Sequence, residues 1–162
     1  QELPFRGGLA VHAASLVHRG AAYLFPAGSG VGKSTLVRGS GGDPALADDV
    51  SLLAPDSEGR FRAYPTPFWS QDGNVPNSLP AESQQGYPLV RLCFLARGLQ
   101  MRRVPLRPAA AADLLLQHAL VFARAPQLYG AVLDAAISLS RAVPAERLEL
   151  PLGKNIWPEM LP

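Results

Sequence analysis

Apolar residues cluster in short runs along the first half of this chain, and in longer helical patterns along the second. Residues 9–17, "LAVHAASLV", and residues 21–25, "AAYLF", predict two short strands, with "HRG" between them as the turn of a hairpin. A glycine-rich stretch follows, and "STLVRG" predicts a short helix ending near Gly39. "ALADDVSLLA" predicts a strand that carries two adjacent carboxylates, and "GRFRAYP" a further short strand after the turn "PDSEG". Residues 64–88 are rich in Pro, Gly, Asn, Ser and Gln, which predicts irregular structure. "LVRLCFLARG" and "QMRRVPL" predict two strands around a tight turn at Gly98. Residues 108–124 and 126–143 predict two helices, each opened by a proline, and "ERLELP" a returning strand.

Strands, a glycine loop, more strands and then helices predict an α/β fold. Its sheet is mixed, with helices packed toward the C-terminal half, rather than a regular βαβ array. The length, 162 residues, suits a single domain spanning 1–162. Hydrophobic content of 48% with 17% charge describes a folded globular chain. A net charge of +2, with Arg102–Arg103 as the only adjacent basic pair, does not suggest a nucleic-acid partner. No run reaches membrane-spanning length and no signal peptide is visible, so the expectation is a cytoplasmic protein with no membrane partner. Cys93 is the only cysteine and lies in an apolar run, where a buried thiol is expected.

The chemistry begins at "FPAGSGVGKSTLVRG". Ala27, Gly28, Ser29, Gly30, Val31, Gly32, Lys33, Ser34 and Thr35 approximate the phosphate-loop pattern G-x-x-x-x-G-K-[ST], with Ala27 at its first position. Alanine suffices there if its φ is negative. The interior glycines let successive backbone N–H groups converge on an anion. The helix beginning near Lys33 turns its N-terminus to the same phosphates. Lys33 would reach the β- and γ-phosphates of ATP, and Ser34 would offer a hydroxyl to Mg²⁺.

Asp48 and Asp49 follow Lys33 by fifteen and sixteen residues. An acid there can hold Mg²⁺ or accept a proton from an incoming hydroxyl. Adjacent strand residues point to opposite faces, so both can serve one site only if the strand ends or bends between them. The guanine-specifying N-K-x-D of GTPases and the L-S-G-G-Q of transport ATPases are absent.

A histidine, a hairpin, the loop and then "LADDV" together resemble the C-terminal catalytic domain of HPr kinase/phosphorylase, whose fold is akin to phosphoenolpyruvate carboxykinase. The likeness covers residues 9–53. His12 stands twenty-one residues before Lys33, the separation the family keeps for its active-site histidine. The resemblance implies a phosphoryl transfer from ATP to a serine or other hydroxyl of a protein or peptide. It implies Asp49 as the base, with His12 touching phosphate or holding Asp49, and Asp48 with Ser34 on Mg²⁺; the two aspartates are interchangeable in this reading. The family assembles as hexamers, which leaves a homo-oligomer open. The family's later L-E-I-R-G segment is absent, its place taken by "YPTPFWSQDGNVPN". Two other classes fit the same residues: a nucleotide-binding regulatory or scaffold module without catalysis, and a small-metabolite kinase.

Outside the loop, Phe68, Trp69 and Asp72 are candidates to anchor the irregular segment or line a pocket. Arg102, Arg103 and Lys154 are candidate phosphate clamps, and Trp157 a packing residue. His18 is expected to be solvated at the hairpin turn, and His118 structural on its leucine-rich helix.

Overall fold

A computed structural model describes residues 2–40, 43–67 and 84–151. Phe68, Trp69, Asp72, Lys154 and Trp157 lie outside the described residues. After a 3-10 turn at Pro4–Arg6 come β1 (Leu9–His18) and β2 (Ala21–Pro26), then α1 (Lys33–Arg38), β3 (Ala45–Ala47), β4 (Val50–Pro55) and β5 (Phe61–Tyr64). The second half holds β6 (Tyr87–Arg97), β7 (Arg102–Leu106), α2 (Pro108–His118), α3 (Pro126–Ala142) and β8 (Ala145–Leu150).

β1 and β2 form the expected hairpin, paired from Ala13↔Pro26 to His18↔Ala21. Its two-residue turn has positive φ at both Arg19 (49°) and Gly20 (79°), the backbone that matches strand twist in tight hairpins. The pairings run β2–β1–β4–β5–β6, and β6 returns to β2 in parallel, closing a five-stranded barrel. β8 extends the sheet beyond β6 in parallel, and β7 adds an antiparallel edge.

Alternation along the central strands buries both faces. Val11 and Ala13 of β1, Leu24 of β2 and Leu92 and Phe94 of β6 pack on one side with α2 and α3. Ala14, Leu16, Phe25 and Cys93 face the other way and pack with Leu36 and Val37 of α1. Among the described residues no helix is long and apolar enough to cross a membrane.

The fold corrects three local expectations. The "ALADDVSLLA" strand is broken: β3 and β4 flank a bend at Asp48–Asp49. The strands before and after Gly98 are not hairpin partners, because β8 lies between β6 and β7. β7 contains Pro105, which lacks a backbone donor and suits an edge strand. The first long helix stops at His118 rather than Arg124. There β2 pairs with β1 only from Ala13 onward, which opens the edge of β1 at Ala10–Val11. The chain after α2 turns extended to fill it: Ala119 bridges Val11, and Leu120 N donates to Ala10 O at 2.8 Å.

Candidate functional site

Parallel strands β2, β6 and β8 end on the same side of the sheet, where crevices form in α/β proteins. β2 runs out at Pro26 into the glycine loop, which enters α1 at Lys33. Gly30 (φ 75°) and Gly32 (φ 115°) adopt left-handed backbone that other residues rarely take. Ala27 does not: Arg19 is the only non-glycine residue described with positive φ, and Ala27 is buried in ordinary backbone. The alanine therefore needs no left-handed backbone at the start of the loop.

Lys33 is buried, with 7% of its surface exposed. Its Nζ donates to Ala27 O at 2.9 Å and Gly28 O at 3.2 Å, so the ammonium closes the loop onto itself. Burial pushes its pKa below the usual lysine value, an effect that the negative charges of Asp49 and Asp48 only partly offset.

Across from the loop, the bend between β3 and β4 presents both aspartates. Ala13 N donates to Asp49 O at 3.0 Å, tying the bend to β1. Thr66 braces it from the other side, its N–H on Leu46 O (3.1 Å) and its hydroxyl on Val50 O (2.7 Å). Asp48 is buried at 8% exposure, whereas the Asp49 side chain is 45% exposed. His12 Nε2 lies 3.0 Å from Asp49 Oδ1. An ionised carboxylate only accepts, so the imidazole donates to it from Nε2–H.

These groups meet around one cavity of about 330 Å³, lined by loop residues Ser29, Gly30 and Gly32, by Lys33, Ser34, Thr35 and Arg38 of α1, and by His12, Asp48 and Asp49. Sequence-proposed residues Ala27, Gly28 and Val31 are not in that lining. Ala27 and Gly28 instead supply the carbonyls that hold Lys33. The oxygen donors of Ser34, Asp48 and Asp49 are hard ligands of the kind Mg²⁺ accepts together with phosphate oxygens. No cluster of three His, Cys, Asp or Glu side chains suited to a metal occurs among the described residues.

The family model described as "SynChlorMet cassette protein ScmC" matches residues 1–161. The chain belongs to that family. No curated protein matches it significantly.

In this ScmC-family chain, four basic residues sit differently from their sequence reading or were not singled out by it. Arg38 lines the cavity from the last turn of α1. Arg97, at the end of β6, donates from Nη2 to Gly30 O in the loop. His118 closes α2 directly before the Ala119–Val11 bridge, where the charges of His12 and Lys33 act on it. Burial and the positive neighbours His12 and Lys33 hold its pKa below the usual imidazole value. His18 is not solvated at the turn but half-buried, with Nδ1 2.6 Å from Asp43 Oδ2.

The proposed clamps Arg102 and Arg103 stand on edge strand β7. Arg103 is engaged by Glu146, at 3.1 Å from both Nε and Nη2. Cys93 is fully buried beside Glu146, and burial pushes its thiol pKa well above the usual value. Arg97 carried no sequence signal, because its partner in the loop is set by strand register rather than by spacing.

Proposed function

We propose that this chain is an ATP- and Mg²⁺-dependent phosphotransferase, built on an HPr kinase-like core with a phosphate-binding loop. It transfers the γ-phosphoryl group to a serine or other hydroxyl of a protein or peptide. The observation that carries this reading is the position of Asp49: held by His12, it faces the same cavity as the glycine loop, Lys33 and Ser34.

Phosphoryl transfer asks chiefly for positioning and charge neutralisation. The glycine loop and the start of α1 supply backbone donors for the polyphosphate, and Lys33 exchanges its loop carbonyls for phosphate oxygens. Ser34 and Asp48 would hold Mg²⁺, which neutralises charge on the β- and γ-phosphates when bound. Asp49 Oδ1 is occupied by His12, leaving Oδ2 to take the proton of the acceptor hydroxyl. The acceptor's hydroxyl oxygen then bonds to the γ-phosphorus as the bond to the β–γ bridging oxygen breaks, and ADP departs. His12 keeps Asp49 oriented through that step.

The test is incubation of the purified protein with labelled ATP, Mg²⁺ and a library of serine-containing peptides. Transfer is expected, and Asp49→Asn should slow it by about 10²- to 10⁴-fold while nucleotide still binds. ATP bound with no transfer to any hydroxyl or to water would instead select a nucleotide-binding module without catalysis. Failure to bind ATP would overturn the reading altogether.

A further inference from the structure

We propose that Arg97 is a positioning residue of the glycine loop, holding the Gly30 carbonyl outward so that the loop's N–H groups stay turned to a bound polyphosphate. The proposal rests on the nucleotide reading of the site and deepens it.

β6 is the longest described strand beside the loop. Its parallel pairing with β2 reaches Leu24↔Leu92, after which β2 has two residues left and β6 has five. Where β2 gives way to the loop, β6 therefore continues alongside it. β8 keeps that end of β6 rigid: Arg97 pairs with Leu150, and Gly98 N donates to Leu150 O at 2.9 Å. A guanidinium anchored on a fixed strand thus reaches a carbonyl at the crown of the loop.

The loop needs such a hold. Gly30 and Gly32, on either side of Val31, take left-handed backbone, and glycine has the most conformational freedom to lose. Lys33 ties down the loop's entry through Ala27 and Gly28 but makes no bond to its crown. Arg97 supplies that second tie. In an anion-binding loop the N–H groups must converge, so their carbonyls must be satisfied on the outside. A cation bonded to Gly30 O does this and adds positive charge near the site. A Cβ at Gly30 would stand 3.9 Å from Arg97 Nη2, an ordinary contact, so the left-handed φ and not room for Arg97 is what calls for glycine there.

The experiment compares wild type with Arg97→Met, which keeps the aliphatic stem without donors, and Arg97→Lys, which restores charge and a donor. Backbone ¹⁵N order parameters of residues 28–32 are measured without ligand, and tripolyphosphate and ATP binding by calorimetry. In Arg97→Met the loop order parameters should fall, and affinity for both ligands should drop about tenfold, the scale of one lost charge-assisted hydrogen bond. Arg97→Lys should recover most of both.

Unchanged loop order in Arg97→Met would overturn the proposal, even if affinity fell, because that result marks a direct phosphate contact. A loosened loop with unchanged affinity would overturn it as well. If wild type bound neither ligand, the nucleotide reading would fail and the binding half of the proposal with it. The ligand-free relaxation would still decide whether Arg97 holds the loop.

Discussion

Replacing His12 by alanine removes the side chain that fixes Asp49 and leaves the rest of the cavity in place. The hydrogen bond spans 3.0 Å to a carboxylate, and bonds to charged groups contribute about 1.5–3 kcal/mol. The two side chains are 27% and 45% exposed, so water screens them and the lower figure, about 1.5 kcal/mol, applies. If that energy serves to orient the base, its loss slows transfer about tenfold.

The assay is a double-mutant cycle on kcat with Asp49→Asn, which keeps the shape of Asp49 but cannot take a proton. Loss of a general base costs about 10²- to 10⁴-fold. Because His12 acts through Asp49, the double variant should be no slower than Asp49→Asn alone. A multiplicative loss in the double variant would refute the coupling. So would a His12→Ala protein with wild-type kcat. Circular dichroism of each variant excludes unfolding as the cause.

Three further outcomes follow from the same geometry. Burial lowers the Lys33 pKa from 10.5, so just beneath that pH the unfolded chain binds more protons than the fold and stability rises with pH. Lys33→Met should lack that rise in denaturant melts at stepped alkaline pH, and identical slopes would contradict it. His118 should titrate below 6.5 in an NMR pH series, and filling the cavity with tripolyphosphate should move its midpoint upward; its lowered pKa means the fold loses stability relative to His118→Gln as pH falls through that window. Cys93 should resist an aromatic disulfide reagent in the native protein and react once unfolded, since the thiol is buried with a raised pKa; rapid native labelling would show that strand β6 opens locally.

Much of the scaffold was legible from local signals. The β1–β2 turn is written in Arg19–Gly20, the starts of α2 and α3 in Pro108 and Pro126, and the loop in Gly28, Gly30 and Gly32. Each is a preference of a few consecutive residues for particular φ and ψ, so it survives without knowledge of the fold. The end of α2 was misread for the opposite reason. "LLLQHALVFAR" keeps a helical composition past His118, but the open edge of β1 offers Ala119 and Leu120 backbone partners that no local preference reveals.

The candidate site divides along the same line. Its residue types, a glycine loop with Lys33 and Ser34, then paired aspartates, were fixed in the one-dimensional string. Where those groups face was decided by strand pairing. The bend that lets Asp48 and Asp49 share a cavity depends on β1 and Thr66 gripping it from two sides. Arg97 meets Gly30 across 67 positions only because β6 outruns β2 in a parallel pair. Backbone preference acts over a few bonds, whereas register depends on which edges the rest of the chain leaves open. The sequence by itself therefore determined the loop's chemistry, and the tertiary structure decided which charges surround it.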